Sequence, residues 1–263
     1  MYQDATIEEI NEAMEKAWQA FHVYRKFSLK QRANFMHAVA KELEDLGDEL
    51  FQTAQEETHL PEARLRNERA RTVFQLNSYA EACERGEWLE ARIDTAIPDR
   101  NPPKADLRKM LIPLGPVVVF GAANFPFAYS TAGGDTACAF AAGCPVIVKA
   151  HPAHARTSEM VGNAVLKAAS NCNMPAGIFA HIHGTGNEVG ETLVKHSHVK
   201  AVGFTGSFLG GRQLFDWASQ RKEPIPVMVA AVPHASASVT LPDSMSRTTS
   251  SICSGSSTTG IER

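Results

Sequence analysis

Ordered thiols are missing from this sequence. Its five cysteines (Cys83, Cys138, Cys144, Cys172 and Cys253) are odd in number and form no CxxC pair, which speaks against both a disulfide framework and a thiolate zinc site. Long apolar runs are missing too. No stretch approaches the roughly 20 residues that span a bilayer, and the start MYQDATIEEI has neither a basic opening nor an apolar signal core. A cytoplasmic location without a membrane partner is the expectation. Charge of one sign is also lacking: 26 Lys and Arg stand against 29 Asp and Glu, a formal net charge of −3. That balance gives no electrostatic reason to expect nucleic acid or an anionic membrane as partner, so any anion would be bound locally.

What is present suits an ordinary globular protein: 263 residues, 44% hydrophobic and 21% charged, enough for one or two packed domains. The first hundred residues read as helical, because Ile7, Ile10, Met14, Trp18 and Phe21 recur at three- and four-residue steps and make one apolar face. Thr6 with Glu9, and Ser28 with Gln31, fit capping boxes at helix starts. A longer helix is expected from about Pro61 to Gly86, with the proline in a first turn and the glycine as a stop. From Trp88 to Met110 the pattern turns to short β-prone pieces broken by Pro98, Pro102 and Pro103.

After Leu111, short apolar runs alternate with longer amphipathic ones. Candidate strands are Val117 to Gly121, Pro145 to Val148, Ile178 to Ile182, Ala201 to Phe204 and Pro226 to Ala230. Candidate helices lie near Ser130 to Ala142, Thr157 to Ser170, Glu188 to Lys195 and Phe208 to Gln220. This alternation predicts an α/β fold, a doubly wound parallel sheet behind an N-terminal helical region, with ligands at the C-terminal ends of its strands. From His234 to Arg263 there are nine Ser and five Thr, few large apolar residues and no periodicity, which predicts a poorly packed tail. The expected divisions are 1–110, 111–230 and 231–263.

Gly203-Phe204-Thr205-Gly206-Ser207 follows the apolar run Val199 to Val202 and precedes a helix starting near Phe208. A small-residue turn at a helix N-terminus offers free N–H groups and the positive end of a helix dipole to a phosphate. Upstream stand Pro113-Leu114-Gly115-Pro116, Asn124-Phe125-Pro126 and Lys149 at the end of a further apolar run. Together these residues resemble the aldehyde dehydrogenase superfamily from roughly Thr6 to about Val227. The likeness is greatest to the branch that oxidises 2-oxoglutarate semialdehyde (2,5-dioxopentanoate), through Arg92-Ile93-Asp94-Thr95-Ala96, Gly133-Gly134-Asp135-Thr136-Ala137 and Lys149-Ala150-His151-Pro152-Ala153-His154.

The resemblance implies a dinucleotide-binding domain over 111–230, a hairpin before it that joins subunits of a homo-oligomer, and an aldehyde substrate. It implies that Asn124 donates to an oxyanion, a role worth roughly 3 to 4 kcal/mol where such donors have been deleted; on residue type alone Asn124 also suits a turn. It implies that Lys149 meets the ribose hydroxyls, against the plain reading of a solvated strand end. The family's NAD-preferring members commonly carry Glu three residues later, where this chain has Pro152. Without that carboxylate a 2′-phosphate is not repelled, and Lys149 with His151 would attract one, so NADP is the expected cofactor, with NAD possible. Gly184-Thr185-Gly186 followed by Gly190 is one residue longer than the usual dinucleotide fingerprint and suits a tight turn equally well. By likeness Gly186 borders the adenosine half, and Gly206 with Ser207 meet the pyrophosphate; Ser207 also suits a helix cap. Seven of the ten histidines fall between His151 and His234, but without Asp or Cys partners nearby no metal is expected.

Two catalytic parts of the family are not found. The glutamate base is expected shortly after Pro224-Ile225-Pro226-Val227, yet Met228 to Ser236 contains no acidic residue. The nucleophilic thiol follows that base, and Ser251-Ile252-Cys253-Ser254-Gly255 does not resemble its setting. A frameshift near Val227 with early termination, leaving the catalytic domain missing and the chain inactive, would explain both. A non-catalytic dinucleotide-binding or subunit-interaction fragment is the alternative. A reductase using a Tyr and Lys pair fits poorly, since the residue four after Tyr129 is Gly133.

Overall fold

A computed structural model describes residues 2–232. Helix α1 (Ile7–Tyr24) begins where expected: Thr6 Oγ1 accepts from the Glu9 N–H at 3.2 Å, and the Thr6 N–H donates to the Glu9 carboxylate at 2.8 Å. Ile10, Met14 and Phe21 are buried, whereas Ile7, in the first turn, stays 53% exposed. Helix α2 (Leu29–Asp45) opens with the same reciprocal pair between Ser28 and Gln31. Gly47, at φ +63°, bends the chain into α3 (Gly47–Thr58), which has no side-chain cap and therefore no start signal in the sequence. Helix α4 (Glu62–Arg85) follows Pro61 and stops at Gly86, φ +72°. The β-prone stretch becomes a ribbon of β1 (Arg92–Asp94) and β2 (Leu107–Lys109), antiparallel with Arg92 opposite Lys109.

Then strands and helices alternate: β3 (Val117–Phe120), α5 (Gly134–Ala142), β4 (Val146–Lys149), α6 (Ala155–Asn171), β5 (Phe179–Ile182), α7 (Asn187–Lys195), β6 (Ala201–Ser207), α8 (Phe208–Ser219) and β7 (Val227–Val232). All five expected strands and four helices are present. The sheet order is β5-β4-β3-β6-β7, and the β3–β4, β3–β6 and β4–β5 pairs are parallel. Helix α5 starts at Gly134 rather than near Ser130, because the preceding residues close a turn in which the Gly133 N–H bonds the Ser130 carbonyl.

Two-residue strand periodicity divides the core. Val119, Val146 and Val148 pack with Phe35, Leu76 and Phe140 under α2 to α6, while Val118, Ile147 and Val202 pack with Met14, Leu193 and Trp217 under α1, α7 and α8. Both faces are thus covered, which is why the strands read as continuous Val and Ile runs. The described chain through Ala231 is one compact unit in which α2 to α4 share a core with the sheet. The tail expected at 231–263 lies, but for its first two residues, outside the described residues. No described helix is long and apolar enough to cross a membrane.

Candidate functional site

Parallel pairing fixes which loops meet. Phe120 is in register with Lys149 on one side and Phe204 on the other, so the chain leaves β3, β4 and β6 side by side at one edge. Asn124, Lys149 with His151, and Gly206 with Ser207 stand on these three exits.

The β3 exit is held from outside by α4. The Arg64 guanidinium donates to the Asn124 carbonyl at 2.7 Å and lies over the Phe125 ring, 5.0 Å from its centroid. Arg71 donates to the Tyr129 hydroxyl at 2.5 Å. Between them Glu68, only 5% exposed, accepts from the Phe127 and Ala128 N–H groups at 2.8 and 3.0 Å. Burial pushes its carboxyl pKa up, against those two bonds and the Arg64 charge. The Asn124 side chain is exposed and makes no hydrogen bond among the described residues, so its amide is free to donate.

At the β4 exit Lys149 is half-buried, and its ammonium has no ion-pair partner among the described residues. Burial holds its pKa below the usual lysine value, with Asp4 opposing. His151 Nδ1 accepts from the Ala153 N–H at 3.1 Å, which leaves the ring proton on Nε2. Burial first, then His154 and Lys149, push its pKa down to about 4. His151 is therefore a neutral donor at physiological pH and not the cation that attraction of a phosphate requires. His154, fully buried, donates from Nε2 to the Ala122 carbonyl at 2.8 Å and ties this loop to the Asn124 loop.

Gly186 caps α7, and a Cβ added there would meet nothing within 4 Å. It borders a cleft of about 130 Å³ walled by Phe120, Lys149, Phe204, Leu214 and Trp217. Gly190 serves packing, since a Cβ would sit 3.2 Å from the Phe120 ring. Ser207 caps α8 by accepting from the Gly210 N–H at 3.2 Å, so its own hydroxyl proton remains available. Gly206 precedes it at the end of β6, where a Cβ would press on the Phe204 ring at 2.6 Å.

Four residues were not singled out from sequence: Arg64, Glu68, Arg71 and Asp4. For Glu68 a signal existed. The buried stripe of α4 runs Leu65, Glu68, Thr72, Leu76, and a carboxylate on an apolar stripe implies a fixed partner. Asp4 accepts from the Thr185 N–H at 2.8 Å and its hydroxyl at 3.0 Å, a contact 181 residues apart that no local pattern announces. The paired histidines go elsewhere: His181 Nε2 lies 2.7 Å from Ser158 Oγ, and His183 stacks on Tyr2. Among the described residues no group of three or more His, Cys, Asp or Glu is placed to hold a metal ion. Cys83, Cys138, Cys144 and Cys172 all have thiol pKa values pushed up, chiefly by desolvation, Cys83 to about 11. Cys253 lies outside the described residues.

The edge thus offers an ammonium without an ion pair among the described residues, a capped helix N-terminus with a free hydroxyl proton and an apolar-walled cleft. These groups suit a nucleotide's ribose, phosphate and base. The chain is 53% identical over 220 residues to alpha-ketoglutaric semialdehyde dehydrogenase 2 of Azospirillum brasilense, covering 83% of this chain and 42% of that protein. It is 47% identical over 227 residues to alpha-ketoglutaric semialdehyde dehydrogenase of Acinetobacter baylyi, covering 86% and 43%. The chain therefore spans less than half the length of these relatives. In fold it matches methylmalonate-semialdehyde dehydrogenase from Oceanimonas doudoroffii, with a TM-score of 0.75 at 20% identity over 88% of this chain and 44% of that one. The NAD-dependent benzaldehyde dehydrogenase from Corynebacterium glutamicum gives 0.74 at 22%, over 87% and 46%. The pattern characteristic of the aldehyde dehydrogenase family matches residues 1–232, and the chain belongs to that family.

Proposed function

We propose that this chain is the cofactor-binding part of an aldehyde dehydrogenase that converts 2-oxoglutarate semialdehyde (2,5-dioxopentanoate) to 2-oxoglutarate with NADP, or with NAD. The substrate is supported by the two alpha-ketoglutaric semialdehyde dehydrogenases at 53% and 47% identity. The observation that carries the cofactor reading is the convergence of Lys149, Gly186 and the Ser207-capped helix on one edge.

A bound nicotinamide dinucleotide supplies a ring that accepts hydride. The chain's own residues do the rest. Ser207 and the first N–H groups of α8 receive phosphate oxygens, helped by the helix dipole. Lys149 donates to ribose hydroxyls, and Phe120, Leu214 and Trp217 wall the base. Pro152 puts no carboxylate of the β4 exit itself against a 2′-phosphate. His151 contributes an Nε2–H donor and no charge. The Asn124 amide donates to the oxyanion formed when a thiolate attacks the aldehyde. Assembly as a homo-oligomer through the β1–β2 ribbon belongs to this reading, because Ile93 and Leu107 are 68% and 59% exposed on it.

Titration calorimetry tests the cofactor reading: both NADP and NAD should bind, NADP at least as well, and a tenfold preference for NAD, about 1.4 kcal/mol, contradicts it. A second reading, a dinucleotide-binding or subunit-interaction chain without catalysis of its own, is favoured by the raised pKa of all four described thiols and the lack of an acidic residue from Met228 to Ser236. Mixing the chain with 2,5-dioxopentanoate and NADP while following reduced cofactor separates the two. No turnover supports the second, and turnover lost in Cys253→Ala refutes it.

A further inference from the structure

We propose that Asp4 is a specificity-determining residue of the cofactor site, supplying in space the carboxylate that position 152 lacks in sequence and limiting how tightly a 2′-phosphate is held. The inference rests on the cofactor reading above. It starts from the N-terminal segment, which Tyr2, Asp4 and Ala5 pin to the loop between β5 and α7. The Tyr2 ring stacks on His183 with centroids 4.1 Å apart, and its hydroxyl donates to Glu159 at 2.6 Å. Asp4 takes both donors of Thr185, and the Ala5 N–H bonds the His183 carbonyl at 3.0 Å.

This anchoring places Asp4 on a second cavity, which adjoins the cleft where Lys149, on the cleft's wall, is followed by Ala150, on the cavity's. Asp4, Ala150, Pro152, Gly184 and Thr185 line one cavity of about 280 Å³. Lys149 adjoins that lining through Ala150, and the attraction between Lys149 and Asp4 is felt by both groups. The other charged groups at the cavity are already engaged. Glu57 accepts from the Arg156 and Thr157 N–H groups and the Thr157 hydroxyl, and the Arg156 guanidinium pairs with Glu56 at 3.1 Å. Asp4 is bonded only by neutral donors, and Lys149 has no ion-pair partner among the described residues. The balance between these two charges decides how an added phosphate fares: Lys149 draws it in, and Asp4 repels it. Thr185 fixes the carboxylate through two bonds, so the repulsion is not relieved by swinging the side chain away.

The test compares the full chain with Asp4→Asn, Asp4→Glu and Thr185→Val by titration calorimetry, using NAD, NADP, 5′-AMP and 2′,5′-ADP. Asp4→Asn should tighten NADP and 2′,5′-ADP roughly fivefold and change NAD and 5′-AMP less than about twofold, and the gain should shrink at about 0.5 M salt. Asp4→Glu, which keeps the charge, should keep the ratio of the parent chain, and Thr185→Val should move toward Asp4→Asn. If both dinucleotides bind and the NADP-to-NAD ratio is the same in Asp4→Asn, Asp4 is only a tether and the inference is overturned while the cofactor reading stands. If neither dinucleotide binds the parent chain, the cofactor reading falls and the inference with it.

Discussion

Replacing Glu68 by alanine removes the acceptor for two N–H groups of the loop that presents Asn124. Phe127 and Ala128 are 1% and 0% exposed, so their freed N–H groups find no water. Each bond to a charged acceptor contributes about 1.5–3 kcal/mol, which sets a ceiling near 6 kcal/mol for the pair. Part of this is offset, because the carboxylate is itself costly to bury and its Oε2 has no partner. A net loss of about 2–4 kcal/mol follows, while Glu68→Gln, which keeps one acceptor oxygen, should lose about 1 kcal/mol. The pH dependence has a definite sign. Burial raises the Glu68 pKa in the folded state, so the folded chain binds the proton more tightly than the unfolded chain. The stability gap between the parent chain and Glu68→Gln should therefore shift against the parent as pH rises from the ordinary carboxylate pKa, about 4.5, through the raised one. Urea unfolding gives the free energies, and amide exchange at Phe127 and Ala128 locates the effect. A Glu68→Ala chain within about 0.5 kcal/mol of the parent at pH 7.5, with exchange at both amides unchanged, would refute the clamp.

Lys149→Ala should weaken NAD by roughly tenfold in calorimetry, about 1.4 kcal/mol, and NADP by at least as much, since on the proposed reading its ammonium serves the ribose common to both and also draws in the 2′-phosphate. His181, like His151, has its pKa pushed down to about 4, mainly by burial. The unfolded chain thus binds protons that the folded chain refuses between the ordinary histidine pKa, about 6.5, and 4, and stability should fall as pH drops through that window; thermal unfolding of His181→Gln should show a flatter profile. Gly133→Ala would drive a Cβ to 2.3 Å from the Ala128 carbonyl oxygen, which should cost about 3 kcal/mol of unfolding free energy. Gly186→Ala meets no atom within 4 Å and should leave stability within about 0.5 kcal/mol while weakening dinucleotide binding.

The elements most legible in the sequence were those whose determinants are local. Thr6 and Ser28 each carry a capping partner three residues on, and both boxes form as read. The strands announced themselves because a parallel sheet covered on both faces needs apolar side chains on both, as in Val117 to Phe120. Helix α3 was hidden inside a helical stretch, because its start is made by Gly47 turning back on α2 and not by a side-chain cap. The charge of His151 could not be read, since its residue type suggests a cation and only its burial beside His154 and Lys149 makes it neutral. Nor could the approach of Asp4 to Thr185 be read, because a pair 181 residues apart is brought together by the whole fold and by no local pattern.

Binding and chemistry separate at the thiol. Asn124 is held out by α4 with its amide free, but an oxyanion donor acts only after a nucleophile has attacked. Among the described residues the Cys83 thiol, with a pKa of about 11, is ionised to only about one part in three thousand at pH 7.5. Cys138, Cys144 and Cys172 are shifted the same way by desolvation. A catalytic thiol needs the opposite environment, with a helix N-terminus or a nearby cation lowering its pKa. At this edge Ser207 occupies the N-terminus of α8 and Gly186 that of α7, and neither is a thiol. On the proposed reading residues 2–232 hold a dinucleotide and offer an oxyanion donor, and an aldehyde would meet no activated thiol on them. Any aldehyde oxidation must draw its nucleophile from beyond Val232, which makes dinucleotide affinity and turnover independent measurements on this chain.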